Sequence, residues 1–203
     1  MSPRSVEQNR LIRDERRDQI LEHAMRLFAK KGYASTKISD VAQSASLSQG
    51  LVYHYFASKE ELYIAVVEQT IEMSNNAMKM FSSLQMEPCE IMKVMTERNL
   101  DYEDSDEYAL RWFLMFQVGL TDSVPPEAKK ILEKKFAAVK YVKSVIAEGQ
   151  KKGQFSSEKD AESLSAAYWA LMEGIVFFNA LNSSDIDSKI AIPDVETVLK
   201  LFK

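Results

Sequence analysis

The segment from Ser46 to Phe56, S-L-S-Q-G-L-V-Y-H-Y-F, constrains this chain more than any other part of it. Ser48 can accept a backbone hydrogen bond one turn into a helix, so we expect it to be the N-cap of a short helix. Val52 and Phe56 are four residues apart and share one face of that helix, as packing requires. The segment therefore predicts a short helix with one buried side and one polar side.

The polar side of this helix carries groups that suit contact with DNA. An amide, a bare backbone, a phenol and an imidazole can reach phosphates and base edges. They belong to Gln49, Gly50, Tyr53 and His54. Ser58 and Glu61 then have the spacing of a capping box that opens the next helix. Lys59 lies in its first turn, where a cation is unfavourable unless an anion such as a phosphate lies beside it.

Two upstream stretches complete a three-helix unit. Between about residues 14 and 31, apolar side chains recur at helical spacing, and Gly32 is a predicted helix stop. The residues of this stripe are Ile20, Ala24, Leu27 and Phe28. Thr36 is the predicted N-cap of a second short helix. Its buried stripe consists of Ile38, Val41, Ala42 and Ala45. Because the third helix begins at Ser48 after a very short turn, the pattern predicts a helix-turn-helix.

Residues 20–62 resemble the DNA-binding region of the tetracycline-repressor (TetR) family of bacterial regulators. The matching positions are Ile20, Ala24, Leu27, Phe28, Gly32, Tyr33, Thr36, Ile38, Val41, Ala42, Ala45, Leu47, Ser48, Gly50, Tyr53, Tyr55, Phe56, Lys59 and Leu62. Ser46 departs from the family, which usually has glycine in this turn, and a left-handed conformation there costs serine more than glycine. A weaker similarity, at residues 148–155 and 170–174, resembles the join between the last two core helices of the family.

The resemblance also implies which residues contact DNA. The residues that match the family's contact positions are Thr36, Lys37, Gln49, Gly50, Leu51, Tyr53, Tyr55 and Lys59. The candidate set also includes Ser48, at the start of the third helix, and His54, on its polar side. Among them, the hydroxyl groups and the ammonium of Lys59 suit phosphates, whereas Lys37 and Gln49 suit base edges. Gly50 permits close approach of the backbone, and Leu51 can meet a thymine methyl group. His54 differs from the aromatic residue usual in the family, so its role is open.

Composition and charge predict an all-α chain in two parts. Six Gly and five Pro are few for 203 residues, and no run of alternating β-branched residues is present. Residues 1–60 hold 10 basic and 7 acidic side chains, whereas residues 61–203 hold 16 and 23. This asymmetry favours a DNA-reading domain at 1–60 joined to a helical bundle at 61–203 that binds ligand and dimerises. Further helices are predicted near 58–84, 88–103, 105–121, 125–152, 158–182 and 193–202, with a capping signal at Ser157 and Asp160.

Residues 1–13 lack apolar periodicity, so we expect a mobile arm that joins the first helix. Arg4, Arg10 and Arg13 lie in this arm. Two interpretations of the arginines stay open at this point. They are either a solvated tail or contacts to a DNA groove.

The family resemblance implies a ligand cavity in the C-terminal part, where methionine and aromatic side chains suit an adaptable apolar pocket. The candidate lining residues are Met92, Met95, Trp112, Phe113, Phe116, Tyr141, Trp169 and Met172. The helix near 158–182 is apolar nearly all round, so we expect its own core on one side and a partner chain on the other. The candidate dimer contacts are Tyr168, Leu171, Gly174, Ile175 and Phe178. Glu173 either pairs at that interface or faces a ligand.

The residue inventory argues against several other classes of protein. One cysteine, Cys89, and two histidines, His23 and His54, leave too few soft ligands for a zinc site, so we expect neither a metal nor a cofactor. We find no nucleophile–base arrangement or phosphate loop and therefore predict no catalytic residue. Scattered Glu and His leave an enzyme as the weaker alternative. We also see no stretch of about 18 apolar residues and no secretory signal, so we expect a cytoplasmic protein without a membrane partner.

Together these features predict a homodimeric, ligand-responsive transcriptional repressor. Two recognition helices related by two-fold symmetry would bind a pseudo-palindromic operator in double-stranded DNA. A small apolar or amphipathic effector would release the operator by favouring a different conformation. The alternative is a DNA-binding regulator or architectural protein without an effector, which a closed and filled core would favour.

Overall fold

A computed structural model describes residues 6–100, 105–133, 136–182 and 190–203. The regular elements within these ranges are all helices, which confirms the all-α prediction. They are α1 (Val6–Ser35), α2 (Ile38–Ser44), α3 (Gln49–Tyr55), α4 (Lys59–Ser83), α5 (Pro88–Leu100), α6 (Ser105–Leu120), α7 (Pro126–Leu132), α8 (Phe136–Lys151), α9 (Ala161–Asn182) and α10 (Val195–Lys200).

The chain forms two compact units. The first consists of Met1–Thr70 and Phe113–Leu132, and the second of Ile71–Trp112 and Glu133–Lys203. Helices α4 and α6 contribute residues to both. The first unit is larger than the predicted 1–60 segment because the later part of α6 packs within it. Gln117 on α6 donates a hydrogen bond of 2.8 Å to the carbonyl oxygen of Ala29 on α1.

The core of the first unit follows the predicted helical stripes. Ile20, Ala24 and Phe28 are fully buried, while Leu27 is half-buried. The predicted stripe of α2 is buried along its whole length, at Ile38, Val41, Ala42 and Ala45. The ring of Phe28 meets that of Tyr63 edge-on at 4.9 Å between centroids. Burial raises the pKa of the Tyr63 phenol above its ordinary value.

Helix α1 differs from the prediction at its start. It begins at Val6, so the expected mobile arm is wrong for residues 6–13. Residues 1–5, including Arg4, lie outside the described residues. Charged and long side chains favour helix here, and an i,i+3 ion pair of 2.9 Å joins Arg10 to Glu7. At the other end, Gly32 has φ 77° and ψ 164°, which breaks the helix at the predicted stop.

Two other predicted boundaries are corrected. The single helix expected at 125–152 is two helices, α7 and α8, and residues 134–135 between them lie outside the described residues. The start of α9 is capped by Asp160 and not by Ser157. Its carboxylate accepts from the backbone N–H groups of Glu162 at 3.0 Å and Ser163 at 2.9 Å. These hydrogen bonds, chiefly those from Ser163, hold the pKa of the Asp160 carboxyl below its ordinary value.

The second unit has a core of methionine, aromatic and aliphatic side chains, to which α5, α8 and α9 contribute. Met92, Met172 and Tyr168 are fully buried. The hydroxyl groups of Tyr168 and Thr96 lie 3.3 Å apart, within hydrogen-bonding distance. Desolvation raises the pKa of the Tyr168 phenol to about 12. This buried tyrosine therefore stays neutral and has a partner for its hydroxyl group.

Helix α9 corrects the expectation that no stretch is long and apolar enough to span a membrane. By length and composition its 22 residues meet that requirement, and 33% of its most apolar 18-residue window is buried. Core helices of globular proteins pass the same test. The same helix carries the buried residues Tyr168, Met172 and Ile175 of the second unit, so its apolar character includes a packed side.

Candidate functional site

The helix-turn-helix of α2 and α3 is held by its own turn. The Leu47 N–H donates to the carbonyl oxygen of Ala42 at 2.8 Å, and the side chain of Gln19 donates to the carbonyl oxygen of Ala45 at 3.0 Å. Ser46 has φ 55°, so it adopts the left-handed conformation that favours glycine. The serine that stands here in place of the family's usual glycine therefore causes local backbone strain in an otherwise regular turn.

Helix α3 has the predicted cap and buried side. Ser48 Oγ accepts from the Leu51 N–H at 3.2 Å, which confirms the N-cap. Val52 is fully buried and Phe56 is 2% exposed. The helix is thus anchored through one face, and this anchor fixes which side chains point outward.

The outward side of this region presents most of the predicted DNA contacts. The exposed candidates are Lys37, Ser48, Gln49, Gly50, Tyr53 and His54, while Leu51 and Tyr55 are half-buried. Tyr53 is 47% exposed, although tyrosine side chains usually bury much of their apolar ring. A Cβ added at Gly50 would meet nothing within 4 Å, so internal packing does not require glycine there. The free space suits close approach of a ligand to the backbone.

Thr36 is placed differently from the prediction. It is fully buried, and its Oγ1 donates to the carbonyl oxygen of Gly32 at 2.8 Å. The N-cap of α2 is Lys37, whose backbone N–H meets the Asp40 carboxylate at 3.5 Å. The buried Thr36 hydroxyl group therefore hydrogen-bonds to the end of α1. The phosphate contact expected of Thr36 would need this group at the surface.

Lys59 lies at the start of α4 and reaches back to the end of α1. Its Nζ donates to the carbonyl oxygen of Tyr33 at 2.9 Å and lies 4.3 Å from the centre of the Tyr33 ring. The serine half of the predicted capping box beside it is formed, while the Glu61 carboxylate reaches one residue further back than the N-cap. Ser58 Oγ accepts from the Glu61 N–H at 3.0 Å, and Glu61 accepts from the Ala57 N–H at 2.7 Å. The ammonium is thus stabilised by carbonyl groups within the protein, in a position that sequence alone assigned to a phosphate contact.

Residues 20–66 match the family model described as bacterial regulatory proteins, tetR family. The comparison places this segment in the DNA-binding domain of the TetR family. The matched segment covers α2, α3, most of the buried part of α1 and the start of α4. These are the elements that form and hold the exposed face of α3.

Individual relatives resemble this chain over different lengths. It is 31% identical over 121 residues to the uncharacterized HTH-type transcriptional regulator YerO of Bacillus subtilis, across 58% of this chain and 39% of the relative. It is 41% identical over 64 residues to the HTH-type transcriptional activator FasR of Mycolicibacterium smegmatis, across 32% and 29%. The chain thus spans less than two fifths of these curated relatives.

A solved transcriptional-regulator structure from Saccharomonospora viridis, in complex with choline, matches the whole architecture. The TM-score is 0.70 over 93% of each chain, at 19% sequence identity. Similarity at this level of identity concerns the fold alone. It shows that the helices beyond α4 also follow an arrangement seen in a solved regulator.

The second unit brings six of the eight predicted pocket residues together. Met92, Met95, Trp112, Trp169 and Met172 are buried in one apolar cluster, and Tyr141 packs against it. The rings of Trp112 and Trp169 are 6.1 Å apart between centroids. The other two candidates, Phe113 and Phe116, are 51% and 42% exposed and belong to the first unit.

Several polar atoms in the second unit are buried without a hydrogen-bond partner among the described residues. The donors are the Tyr141 hydroxyl, Trp169 Nε1 and Arg111 Nη1, and the acceptor is Asn75 Oδ1. Burial raises the pKa of the Tyr141 phenol. An unmet buried donor costs about 1–3 kcal/mol. Sequence analysis did not identify Arg111 or Asn75, because neither interrupts a helical pattern.

Helix α9 places the predicted dimer residues on different sides. Tyr168 and Ile175 are inside the core of their own chain, where a partner does not reach them. Leu171 and Gly174 are half-buried, and Phe178 is 38% exposed. The open side also contains Ala166, Ala167, Ala170 and Phe177, which sequence analysis missed. Helical spacing from Gly174 would have found them, since positions three, four and seven or eight residues away share its side.

The described residues contain no group of three or more His, Cys, Asp or Glu placed to hold a metal ion. Cys89 is half-buried and free.

Proposed function

We propose that this chain is a ligand-responsive, DNA-binding transcriptional regulator that acts as a homodimer. The exposed polar face of α3 carries the proposal. Gln49, Gly50 and Tyr53 lie open on a helix whose opposite side is anchored by Val52 and Phe56. A helix of this kind is the reading element of a helix-turn-helix, and two of them in a two-fold dimer suit a pseudo-palindromic operator in double-stranded DNA.

The dimer is supported by the open side of α9. Phe177 and Phe178 are 54% and 38% exposed, and small residues precede them along the same helix. Exposed apolar side chains that form a continuous side of a helix are typical of an interface. A second copy of α9 is the proposed cover, and Gly174 lets the two helices approach closely.

The proposed effector is a small apolar or amphipathic molecule in the second unit. Buried aromatic side chains supply apolar contact, and the unmet donors of Tyr141 and Trp169 supply hydrogen bonds to acceptor atoms of the ligand. Binding would favour a conformation in which the recognition helices no longer match the operator spacing. The choline held by the Saccharomonospora viridis regulator illustrates a small ligand on this fold.

We propose repression as the direction of control, in the cytoplasm. YerO is an uncharacterized transcriptional regulator, and FasR is a transcriptional activator. The sign of control is therefore tested with a reporter gene placed behind the bound promoter. Repression predicts higher expression when the regulator is removed, whereas activation predicts lower expression.

The decisive experiment is a selection of genomic DNA fragments by the purified full chain, followed by footprinting of the enriched fragments. We expect a protected site with two related halves on opposite strands. Replacing Gln49 and Tyr53 together by alanine should abolish the enrichment, because both side chains lie on the exposed face. Enrichment that is independent of sequence would instead favour an architectural DNA-binding protein without an effector, and the absence of any DNA binding would overturn the proposal.

A further inference from the structure

The described side chains in the first three to four turns of α1 do not pack into a hydrophobic core. The helix begins at Val6, but the first buried residue among its described side chains is Ile20. The described side chains between these positions are exposed, apart from those of Arg16 and Gln19, which are half-buried. Fourteen residues of α-helix span about 20 Å. This overhang (Val6 to Gln19) therefore extends well beyond the buried part of the first unit.

Charges on the overhang are divided between two sides. It holds four arginines and four acidic residues, so its formal charges cancel. Arg10, Arg13 and Arg17 recur every three or four residues and continue the stripe that is buried further along as Ile20, Ala24 and Phe28. Glu7, Asp14 and Asp18 lie on an adjoining side of the helix. A helix with no net charge thus has one basic side, on which the exposed Arg10 also forms an ion pair with Glu7 at 2.9 Å.

Contacts at the base of the overhang show where each side faces. The guanidinium of Arg17 lies over the ring of Phe56, 5.3 Å from its centre, at the C-terminal end of α3. Arg16 donates to Gln19, which in turn donates to the Ala45 carbonyl in the turn before α3. On the acidic side, Asp18 accepts from Gln69 of α4 at 3.3 Å. The basic side is therefore continuous with the recognition helix, and the acidic side faces α4.

We propose that Arg10 and Arg13 bind phosphates of the DNA that flanks each operator half-site. This inference rests on the proposed function of α3. A recognition helix in the major groove has backbone phosphates beside its ends, and Arg17 begins the basic side at such an end. Arginine on an exposed helix side can bind phosphate without any base contact, so the interaction supplies affinity and positioning but little sequence preference.

The test compares the full-length wild type with R10A/R13A on the fragment selected by the wild type. Affinity is measured over a range of salt concentrations, on operator DNA with one helical turn of flanking duplex and on operator trimmed at the half-sites. On the longer DNA, the slope of log K against log salt should fall by about 0.9 for each phosphate that the variant no longer binds. On the trimmed DNA, the two proteins should bind alike, because the flanking phosphates are absent.

Two control variants sharpen the result. R26A removes an exposed arginine from the opposite side of α1, where it pairs with Glu22 at 2.9 Å, and should bind both DNAs as the wild type does. R10K/R13K should retain the salt slope, since lysine also binds phosphate as a point charge. Both arginines of the test variant are exposed, so its thermal unfolding should match that of the wild type.

Three outcomes would overturn the inference while leaving the proposed function intact. They are wild-type binding by R10A/R13A on the longer DNA, an equal loss of affinity on both DNAs, and loss of binding by R10K/R13K. Failure of the wild type itself to select any DNA would instead overturn the proposed function.

Discussion

The ammonium of Lys59 donates a hydrogen bond of 2.9 Å to the carbonyl oxygen of Tyr33 and lies 4.3 Å from the centre of the Tyr33 ring. Lys59 stands in the first turn of α4, where the helix dipole disfavours a cation, yet its ammonium reaches the carbonyl groups of Tyr33 and Ala34, which follow the break in α1 at Gly32. The contact joins two helices of the first unit through residues that are 26 positions apart in sequence. Lys59, which the sequence predicts to contact a phosphate of DNA, thus forms a contact that stabilises the first unit.

Replacing Lys59 by alanine should lower the free energy of unfolding by about 1 kcal/mol, because the substitution removes a charge-assisted hydrogen bond and a cation–π interaction. Urea unfolding of the variant measures this change. K30A, which removes an exposed lysine from α1, is the control and should unfold like the wild type. If K59A also lowers the slope of log K against log salt by about 1 per site, the phosphate contact predicted from sequence is supported. Unfolding of K59A at the wild-type urea concentration would argue against the structural contact.

Replacing Ser46 by glycine should stabilise the first unit by about 0.5–1 kcal/mol. The φ of 55° at this exposed position is strained for serine and relaxed for glycine. S39G is a matched control, because Ser39 is also exposed but lies within α2. It should lose stability, since glycine is unfavourable inside a helix. The two variants should therefore shift the urea midpoint in opposite directions, and a shift of both in one direction would contradict the account of the turn.

The helix-turn-helix was predictable because its signals are local. Caps, stripes and the Ser46 departure each depend on residues within a few positions of one another, and the structure confirms Ser48, Val52 and Ser46 in those roles. Thr36 shows the limit of this reasoning. Its position in the sequence suits an N-cap, but its hydroxyl group donates to the carbonyl oxygen of Gly32 in the preceding helix. Tertiary packing decides between these two partners, and the local sequence does not show it.

The second unit was less predictable because several of its helices are apolar on more than one side. Tyr168 and Phe178 both belong to α9, yet one is fully buried in its own chain and the other is 38% exposed. Hydropathy does not separate these two environments. The prediction for the start of α1 was wrong for the opposite reason. This segment has no apolar stripe, and the helix is supported instead by ion pairing and by its continuation into the buried part of α1.

Replacing Gln49 by alanine should reduce the discrimination between operator and random DNA. Gln49 is exposed at the first turn of α3, and its amide can make a bidentate contact with a base edge. We expect a loss of about 1–3 kcal/mol on the operator, little loss on random DNA, and relaxed preference at one position of each half-site. Y53F is the matched comparison, since removal of a hydroxyl that binds phosphate should weaken both complexes alike. Equal losses on the two DNAs for Q49A would show that it reads no base.

Replacing Gly174 by arginine should convert the proposed dimer into monomers with low operator affinity. A Cβ added at Gly174 meets nothing within 4 Å of its own chain, so the subunit should still fold. The long charged side chain would nevertheless block a second copy of α9. Sedimentation velocity measures the change, and circular dichroism checks the helical content. G174A should remain a dimer. A monomeric wild type at micromolar concentration would overturn the interface itself.

Tyr141 and Tyr168 of the second unit should respond in opposite ways to loss of a hydroxyl group. Tyr141 has a buried hydroxyl without a partner among the described residues, whereas the Tyr168 hydroxyl lies 3.3 Å from that of Thr96. In the absence of ligand, Y141F should therefore gain about 1 kcal/mol of stability, and Y168F should lose about as much. If the Tyr141 hydroxyl serves an effector, Y141F should also bind that effector more weakly. Titrations of amphipathic molecules that carry hydrogen-bond acceptors can follow the fluorescence of Trp112 and Trp169, which lie in the same cluster. A wild-type effector response in Y141F, together with no gain in stability, would exclude the hydroxyl from ligand recognition.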